Sequence, residues 1–414
     1  MSSSPDRRDF LVHTAGGLAA SLFTPSLALA RPTIRAGAPL KLGVVGVGRH
    51  GRAILGELAT IPECAVTAVC DTDDSRLQSA LRRAQGAKGF ASIAELLDKA
   101  PDVEALVIAT PTHQHREVAL AALAAGKHLY LETPLAHTIE DLQALSEAAR
   151  RSTRTVAAAF HGRANPVYSL ARSFFRAGAL RELATLRAQN HKKTSWRTAG
   201  STPEREREAN WQLDPAVSLG LIGELGAQQF DVFHWFLSKH PVSARARGDL
   251  RLHKDGREVP DTVACELTFE DGLVLDWSGT LANSYEGRFE LFQGAMAAIK
   301  LAWTHGWMFK EGDAPTAGWE VYANRQQFHN DSGITLIADA TKLAAQGKLQ
   351  DGVGLPYTSL YYSLADFVKC ATEKAAPACS LSDAARTSAV AILAHQALRT
   401  RSEVAIDPKL LEAL

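Results

Sequence analysis

The chain has 414 residues, with 45 Lys plus Arg against 45 Asp plus Glu, so its formal charge at neutral pH is zero. Without a basic stripe this balance argues against a nucleic-acid-binding surface. The length exceeds one ordinary core, so two domains are expected, and beyond the first 30 residues no apolar run is long enough to cross a membrane.

The chain opens on an export signal. Asp6-Arg7-Arg8-Asp9-Phe10-Leu11 resembles the twin-arginine motif. A weakly apolar stretch from Leu11 to Leu27 follows, diluted by Gly16, Gly17, Ser21, Thr24 and Pro25, and Ala28-Leu29-Ala30 is a small-x-small cleavage site. Residues 1–30 therefore read as a twin-arginine signal peptide, with a membrane anchor as the alternative. The expected partner is the twin-arginine translocase and the expected location is the periplasm, with no membrane attachment after cleavage. Because this route carries folded proteins, a cofactor can be loaded in the cytoplasm first. Residues 31–40, with Pro32, Gly37 and Pro39, read as a linker.

A nucleotide fingerprint comes next. Leu42, Val44 and Val45 predict a short buried strand, and Gly46-Val47-Gly48-Arg49-His50-Gly51 matches G-x-G-x-x-G. Gly46 permits the tight turn, Gly48 lets the backbone approach a pyrophosphate, and Gly51 lets the next helix, over about 52–60, pack on the strand. That helix offers its N-terminal N–H groups to phosphate. A second apolar run, 65–70, ends in Asp71, about 20 residues past the last glycine, where an acid accepts hydrogen bonds from ribose hydroxyls and favours NAD. Asp73 and Asp74 would repel a 2′-phosphate. The bland alternative is a βαβ unit with no ligand.

Further strands are expected near 104–109, 128–131 and 155–159, with helices between, giving a parallel sheet covered on both faces. From about 180 the rhythm changes. Strands near 183–190, 262–270 and 273–281, the last two joined by an Asp271-Gly272 turn, and further candidates near 288–301 predict an α+β unit with a largely antiparallel sheet. Helices are expected over 224–237 and, after Ser382-Asp383, over 380–399. The divisions are 1–30 signal, 31–40 linker, 41–162 Rossmann domain, 163–379 substrate and oligomerisation domain, and 380–414 a helix and tail packing back. Among five cysteines, Cys370 and Cys379 lie close enough in sequence to bridge, but folding in a reducing cytoplasm argues against an obligatory disulfide.

Several segments together resemble the glucose–fructose oxidoreductase / inositol dehydrogenase / rhizopine catabolism family, Gfo/Idh/MocA. Besides the fingerprint they are Ala109-Thr110-Pro111-Thr112-His113-Gln114-His115, Gly126 to Pro134, Arg163-Ala164-Asn165-Pro166, and Gly223 to Asp231. The resemblance implies a Rossmann doubly wound sheet with a C-terminal α+β domain, and a homo-oligomer through the C-terminal sheet. It also implies a nicotinamide lying across the loops that carry Thr110, Pro111, His113, His115, Glu132 and Asn165.

Two positions depart from the family pattern. The usual Lys of Glu-Lys-Pro is Thr133, and the usual His one turn after an acid is Gln228, with Glu224 as that acid. A hydroxyl cannot act as an ammonium, and an amide cannot shuttle a proton. Glu224, Gln228 and Asp231 are spaced to share one helix face. Relocated acid or base candidates are His161, His191, Lys192, Lys193, Glu224 and Tyr285. The catalytic set expected is Thr133, Lys193, Glu224 and Gln228. His113 and His115 lack an accompanying cluster, so no metal is expected. Trp196 and Arg197 are candidates to cover the cofactor. The expected function is an exported NAD-dependent oxidoreductase acting on a sugar, polyol or glycoside with tightly held, internally recycled NAD. The alternatives are an NAD-dependent glycoside hydrolase or lyase working by transient C3 oxidation and elimination, and a non-catalytic sugar-binding or regulatory protein on the same scaffold.

Overall fold

A computed structural model describes residues 38–315, 329–330, 333–348 and 352–414. The signal segment and most of the linker lie outside the described residues. The strands, in chain order, are β1 (Leu40–Val45), β2 (Cys64–Cys70), β3 (Lys88–Phe90), β4 (Ala105–Ile108), β5 (His128–Leu131), β6 (Val156–Ala158), β7 (Leu183–His191), β8 (Ser243–Asp249), β9 (Thr262–Thr268), β10 (Val274–Thr280), β11 (Arg288–Gly294), β12 (Ala297–Ala302), β13 (His305–Lys310), β14 (His329–Asn330), β15 (Gly333–Thr335) and β16 (Val404–Ala405). The α-helices are α1 (Arg49–Leu58), α2 (Asp74–Leu81), α3 (Ile93–Lys99), α4 (His115–Ala124), α5 (Ile139–Arg151), α6 (Pro166–Arg176), α7 (Pro203–Ala209), α8 (Ala227–Leu237), α9 (Ala340–Ala345), α10 (Ser359–Glu373), α11 (Leu381–Thr400) and α12 (Pro408–Ala413).

The first sheet is parallel, ordered β3-β2-β1-β4-β5-β6. Its central strands are buried on both faces, with Leu42, Val44, Leu106 and Val107 fully covered, as helices on both sides require. Side-chain caps start the helices that follow: Asp73 for α2, Ser92 for α3, Thr138 for α5, and Asn165 with Pro166 for α6. Strand order reverses between β1 and β4, the point where an open α/β sheet leaves a crevice at its carboxyl edge.

The second sheet is ordered β14-β15-β13-β12-β11-β7-β10-β9-β8-β16. It is antiparallel except for β7 against β10. The Asp271-Gly272 turn joins β9 to β10, with Gly272 at φ +81°. Helix α8 buries Phe230, Phe233 and Phe236 in the main core, where Phe292 of β11 and Trp277 of β10 stack against them. Helix α10 returns to the first sheet, placing Phe367 against Tyr130 of β5.

Some elements differ from expectation. Strands β3, β8 and β13 and helix α10 were not foreseen, and the 288–301 segment forms two strands. The helix expected over 224–237 opens with a π turn, Ile222–Gly226, before α8. All five cysteines are free thiols, so Cys370 and Cys379 do not pair.

Candidate active site

The glycine loop shows three different demands. A Cβ on Gly46, at φ +85°, would meet the Ala109 carbonyl oxygen at 2.6 Å. On Gly51 it would strike the Gly46 carbonyl oxygen at 2.0 Å. On Gly48 it would meet nothing within 4 Å. Gly46 and Gly51 are thus fixed by close packing, whereas Gly48 borders open space. Gly48 is also the N-cap of α1, and no side chain caps that helix or puts an acid in its first turn. The free N–H groups at Arg49 and His50 and the space over Gly48 fit a pyrophosphate.

Asp71, at the end of β2, is buried. Its carboxylate accepts from Val47 N and from Asp73 N, both at 2.9 Å. It braces the glycine loop, and its remaining lone pairs are what a ribose could use. Asp73 is occupied as the α2 cap and lies 3.6 Å from Arg205 of α7.

The loop after β4 carries Thr110 to His115. Thr110 Oγ1 and His113 Nδ1 are buried without a hydrogen-bond partner. His115 is 1 % exposed, and both its ring nitrogens lie against carbonyl oxygens, Nε2 on Thr110 and Nδ1 on Pro134 and Leu135. Asn165 is fully buried; its Oδ1 accepts from Val167 N and Tyr168 N, and its Nδ2 donates to the Trp303 carbonyl and Ser359 Oγ. His115 and Asn165, both expected beside the cofactor, have their polar atoms engaged in stapling loops.

At the ends of β5 and β6 the two departures meet. Gln228 Nε2 donates to Thr133 Oγ1 at 2.8 Å and to the Ala159 carbonyl at 2.7 Å. Gln228 Oε1 accepts from His161 N at 3.3 Å. Glu132 is buried, and its Oε1 lies 2.9 Å from His50 Nε2 and 4.0 Å from His161 Nε2. Burial pushes the Glu132 carboxyl up, but His50, His161 and His115 outweigh it and leave it below the usual range. The Glu132 charge raises His50. His161 is 8 % exposed, and burial takes it down to about 4. Its ring lies 6.1 Å from Trp303, over which Arg288 stacks at 3.5 Å.

Glu224 sits on the π turn and accepts from Thr112 Oγ1 at 3.2 Å. Burial lifts its carboxyl to about 8, with hydrogen bonds from Thr112 and Gln212 pulling the other way. The segment around α7 spans the crevice. At one end Arg205 reaches Asp73; at the other Trp211 packs edge-on against His113 at 6.0 Å.

Asp231 does not share the site with Glu224 and Gln228. It is held bidentately by buried Arg163 at 2.8 Å, which also reaches Asp383 of α11. The π turn shifts the helix register that the spacing assumed. Lys193 is exposed, its backbone N–H on Ser284 Oγ, and no contact joins it to Thr133, Glu224 or Gln228. His191 Nε2 meets Ser278 Oγ at 2.9 Å, and Tyr285 is 76 % exposed. Arg197 pairs with Asp255 and Trp196 packs on the core. Arg205, Trp211, Arg288 and Trp303 were not anticipated, and Thr112 was read only as part of the loop motif after β4. Among the described residues no group of three or more His, Cys, Asp or Glu could hold a metal.

A family model described as oxidoreductase family, NAD-binding Rossmann fold, matches residues 40–160, and the GFO/IDH/MocA C-terminal domain matches residues 168–295. Inositol 2-dehydrogenase 2 of Saccharopolyspora erythraea is 29 % identical over 239 residues, 57 % of this chain and 65 % of the relative. A glycosyl hydrolase family 109 protein of a Shewanella species is 35 % identical over 124 residues, 28 % of this chain and 27 % of the relative. The match thus spans just under two thirds of the first relative and about a quarter of the second. A crystal structure of levoglucosan dehydrogenase with NADH and L-sorbose shares the fold, with TM-score 0.70 and 19 % identity over 89 % of this chain and 99 % of that one.

Proposed function

The chain belongs to the GFO/IDH/MocA oxidoreductase family, and on that premise we propose that it is an NAD-dependent oxidoreductase acting on a sugar or polyol. The observation that carries this reading is the open space at Gly48 beside an uncapped helix N-terminus, while the flanking glycines are packed tight. NAD would be held by the 46–51 loop, by Asp71 at the ribose, and by the Thr110-Pro111 loop. When bound, this cofactor would supply the hydride acceptor for oxidation of a substrate carbinol.

The chain's own residues do the rest. Thr133 and Gln228 are locked to each other, with both Gln228 N–H groups spent on Thr133 and Ala159, so what they offer a substrate hydroxyl is the remaining lone pairs of Thr133 Oγ1 and Gln228 Oε1, without charge. Glu224 is protonated at neutral pH and serves as a hydrogen-bond donor or acid. None of the three takes up a proton at pH 7.

A second reading is glycoside cleavage by transient oxidation at C3. Two features favour it: a neutral Glu224 suits protonation of a leaving oxygen, and the Shewanella relative carries a glycosyl hydrolase name. Export with retained cofactor is part of the proposal, supported by Arg7-Arg8 ahead of the fingerprint. A homo-oligomer formed through the second sheet is also part of it.

The test is the absorbance and mass of nucleotide released from undialysed protein, followed by a carbohydrate panel and a chromogenic glycoside. Near one NAD per chain with reduction by a free sugar or polyol supports the first reading. Cleavage of the glycoside without net NADH supports the second. Ligand binding with neither activity leaves a binding protein and overturns both.

A further inference from the structure

The site's usual proton-handling positions hold a hydroxyl and an amide, and Glu224 is already protonated at neutral pH. Three titratable groups from three separate elements lie in file beside them. His161, after β6, is attached through its backbone to Gln228. Its Nε2 is enclosed and has no hydrogen-bond partner. That atom faces Glu132 Oε1 at 4.0 Å, and the same oxygen, likewise enclosed and without a hydrogen-bond partner, lies 2.9 Å from Nε2 of His50 as an ion pair. The inner two residues are each 8 % exposed, whereas the His50 side chain is 48 % exposed at the start of α1. The file runs from beside the Thr133–Gln228 pair to the solvent-exposed His50.

We propose that His161 takes the proton from the substrate hydroxyl and that Glu132 and His50 conduct a proton out to water at the glycine loop. This rests on the oxidoreductase reading above.

The proton balance is simple. In the tautomer protonated at Nε2, His161 points that N–H at Glu132 and leaves Nδ1 as acceptor. The substrate O–H bond breaks and its proton joins Nδ1. The Nε2 proton passes to Glu132 Oε1 and on to Nε2 of a neutral His50 2.9 Å away, which releases its Nδ1 proton to water. One proton enters and one leaves, so the three groups carry the same total charge before and after. The gap of 4.0 Å exceeds a hydrogen bond. It closes by an approach of about 1 Å, since catalytic contacts tighten once substrate is bound.

The surrounding charges are consistent with this direction. His161 is faced by Glu132, His50 and Arg288; Glu132 is faced by His50, His161 and His115; and His50 is faced by Glu132. Burial, His50 and Arg288 hold His161 below its usual basicity against the opposing Glu132 charge, so it is neutral at pH 7 and takes up a proton as it passes one on to Glu132. Glu132 keeps His50 more basic than an isolated imidazole.

The test uses the full chain with ¹⁵N-labelled histidine rings, followed by NMR across pH. In wild type His161 should carry its proton on Nε2. In Glu132→Gln the His50 titration should move down and the His161 tautomer should change. If both stay as in wild type, the three groups are not coupled and the proposal is overturned. Glu132→Asp keeps the charge, should keep the His50 shift, and serves if Glu132→Gln does not fold.

Kinetics supply the second arm, as reduction of bound NAD by myo-inositol, D-glucose or levoglucosan in a single turnover. His161→Ala should slow it about 100-fold or more, with NAD affinity by calorimetry held within about threefold and with partial rescue by added imidazole. His50→Asn should leave the internal pair intact but shift the pH profile of that turnover. A slow His161→Ala that imidazole does not restore, with an unshifted His50→Asn profile, overturns the proposal. If wild type binds NAD but no carbohydrate reduces it, the oxidoreductase reading fails, and the NMR result still decides whether the three groups share a proton.

Discussion

One methyl group, placed at two positions of the same loop, should have opposite effects. At Gly51 a Cβ would lie 2.0 Å from the Gly46 carbonyl oxygen, so α1 must retreat by about 1.4 Å to reach ordinary contact. Overpacking of that kind costs about 1–3 kcal/mol. At Gly48 the backbone is extended with negative φ, at φ −63° and ψ −156°, and the added methyl meets nothing within 4 Å. Losing glycine at an N-cap costs up to about 1 kcal/mol. The gain of about 0.4–1 kcal/mol from a stiffer unfolded chain offsets it. Gly48→Ala should therefore melt within a degree or two of wild type. Its methyl occupies the space a pyrophosphate needs, so NAD affinity should fall at least about tenfold, equivalent to about 1.4 kcal/mol. Gly51→Ala should instead melt several degrees lower. Scanning calorimetry and isothermal titration with NAD separate the two effects. A Gly48→Ala protein that binds NAD as wild type does would refute the placement of the phosphates.

Three further outcomes follow from buried charge. Asp231→Asn strips Arg163 of its bidentate partner inside the core and should cost about 3–5 kcal/mol by denaturant unfolding, with Asp383 offering only partial compensation. Glu224 titrates near 4.5 when unfolded and about 8 when folded. The folded chain holds an extra proton between those values, so stability falls as pH rises through that window. Glu224→Gln should remove that slope in melting curves taken across it. His161 and His395 are held near 4 and His240 near 3, against 6.5 unfolded. The unfolded chain takes up protons first, so stability should also drop as pH falls from 6.5 toward 4, measurable as an acid limb that His161→Gln makes shallower.

The first sheet was readable because its signals are local. Leu42 to Gly51 contains strand, turn and helix start in one run, and its three glycines meet three different neighbours. Strand β8, Ser-Ala-Arg-Ala-Arg-Gly-Asp, was not, because alternating small and charged residues carry little apolar period. Helix α10 has a readable face in Leu364, Phe367, Val368 and Ala371, all buried, yet its partner is the distant first sheet, so the pattern alone does not place it. The Thr133–Gln228 pair follows from segments whose motifs were visible. The His50–Glu132–His161 file does not, since each residue comes from a different strand end and only the sheet brings them together. Asp231 looked equivalent to Gln228 by spacing; a π turn and a buried arginine separated them.

The most direct measurement is label transfer. NAD-loaded protein is given myo-inositol, D-glucose or levoglucosan deuterated at its carbinol carbons, and the nucleotide released after quenching is weighed by mass spectrometry. This registers oxidation whether or not free NADH accumulates. The account predicts deuterium at the nicotinamide ring with at least one of the carbohydrates, diminished in His161→Ala. Fully loaded NAD that gains no deuterium from any of them, while the same carbohydrates bind, would contradict it.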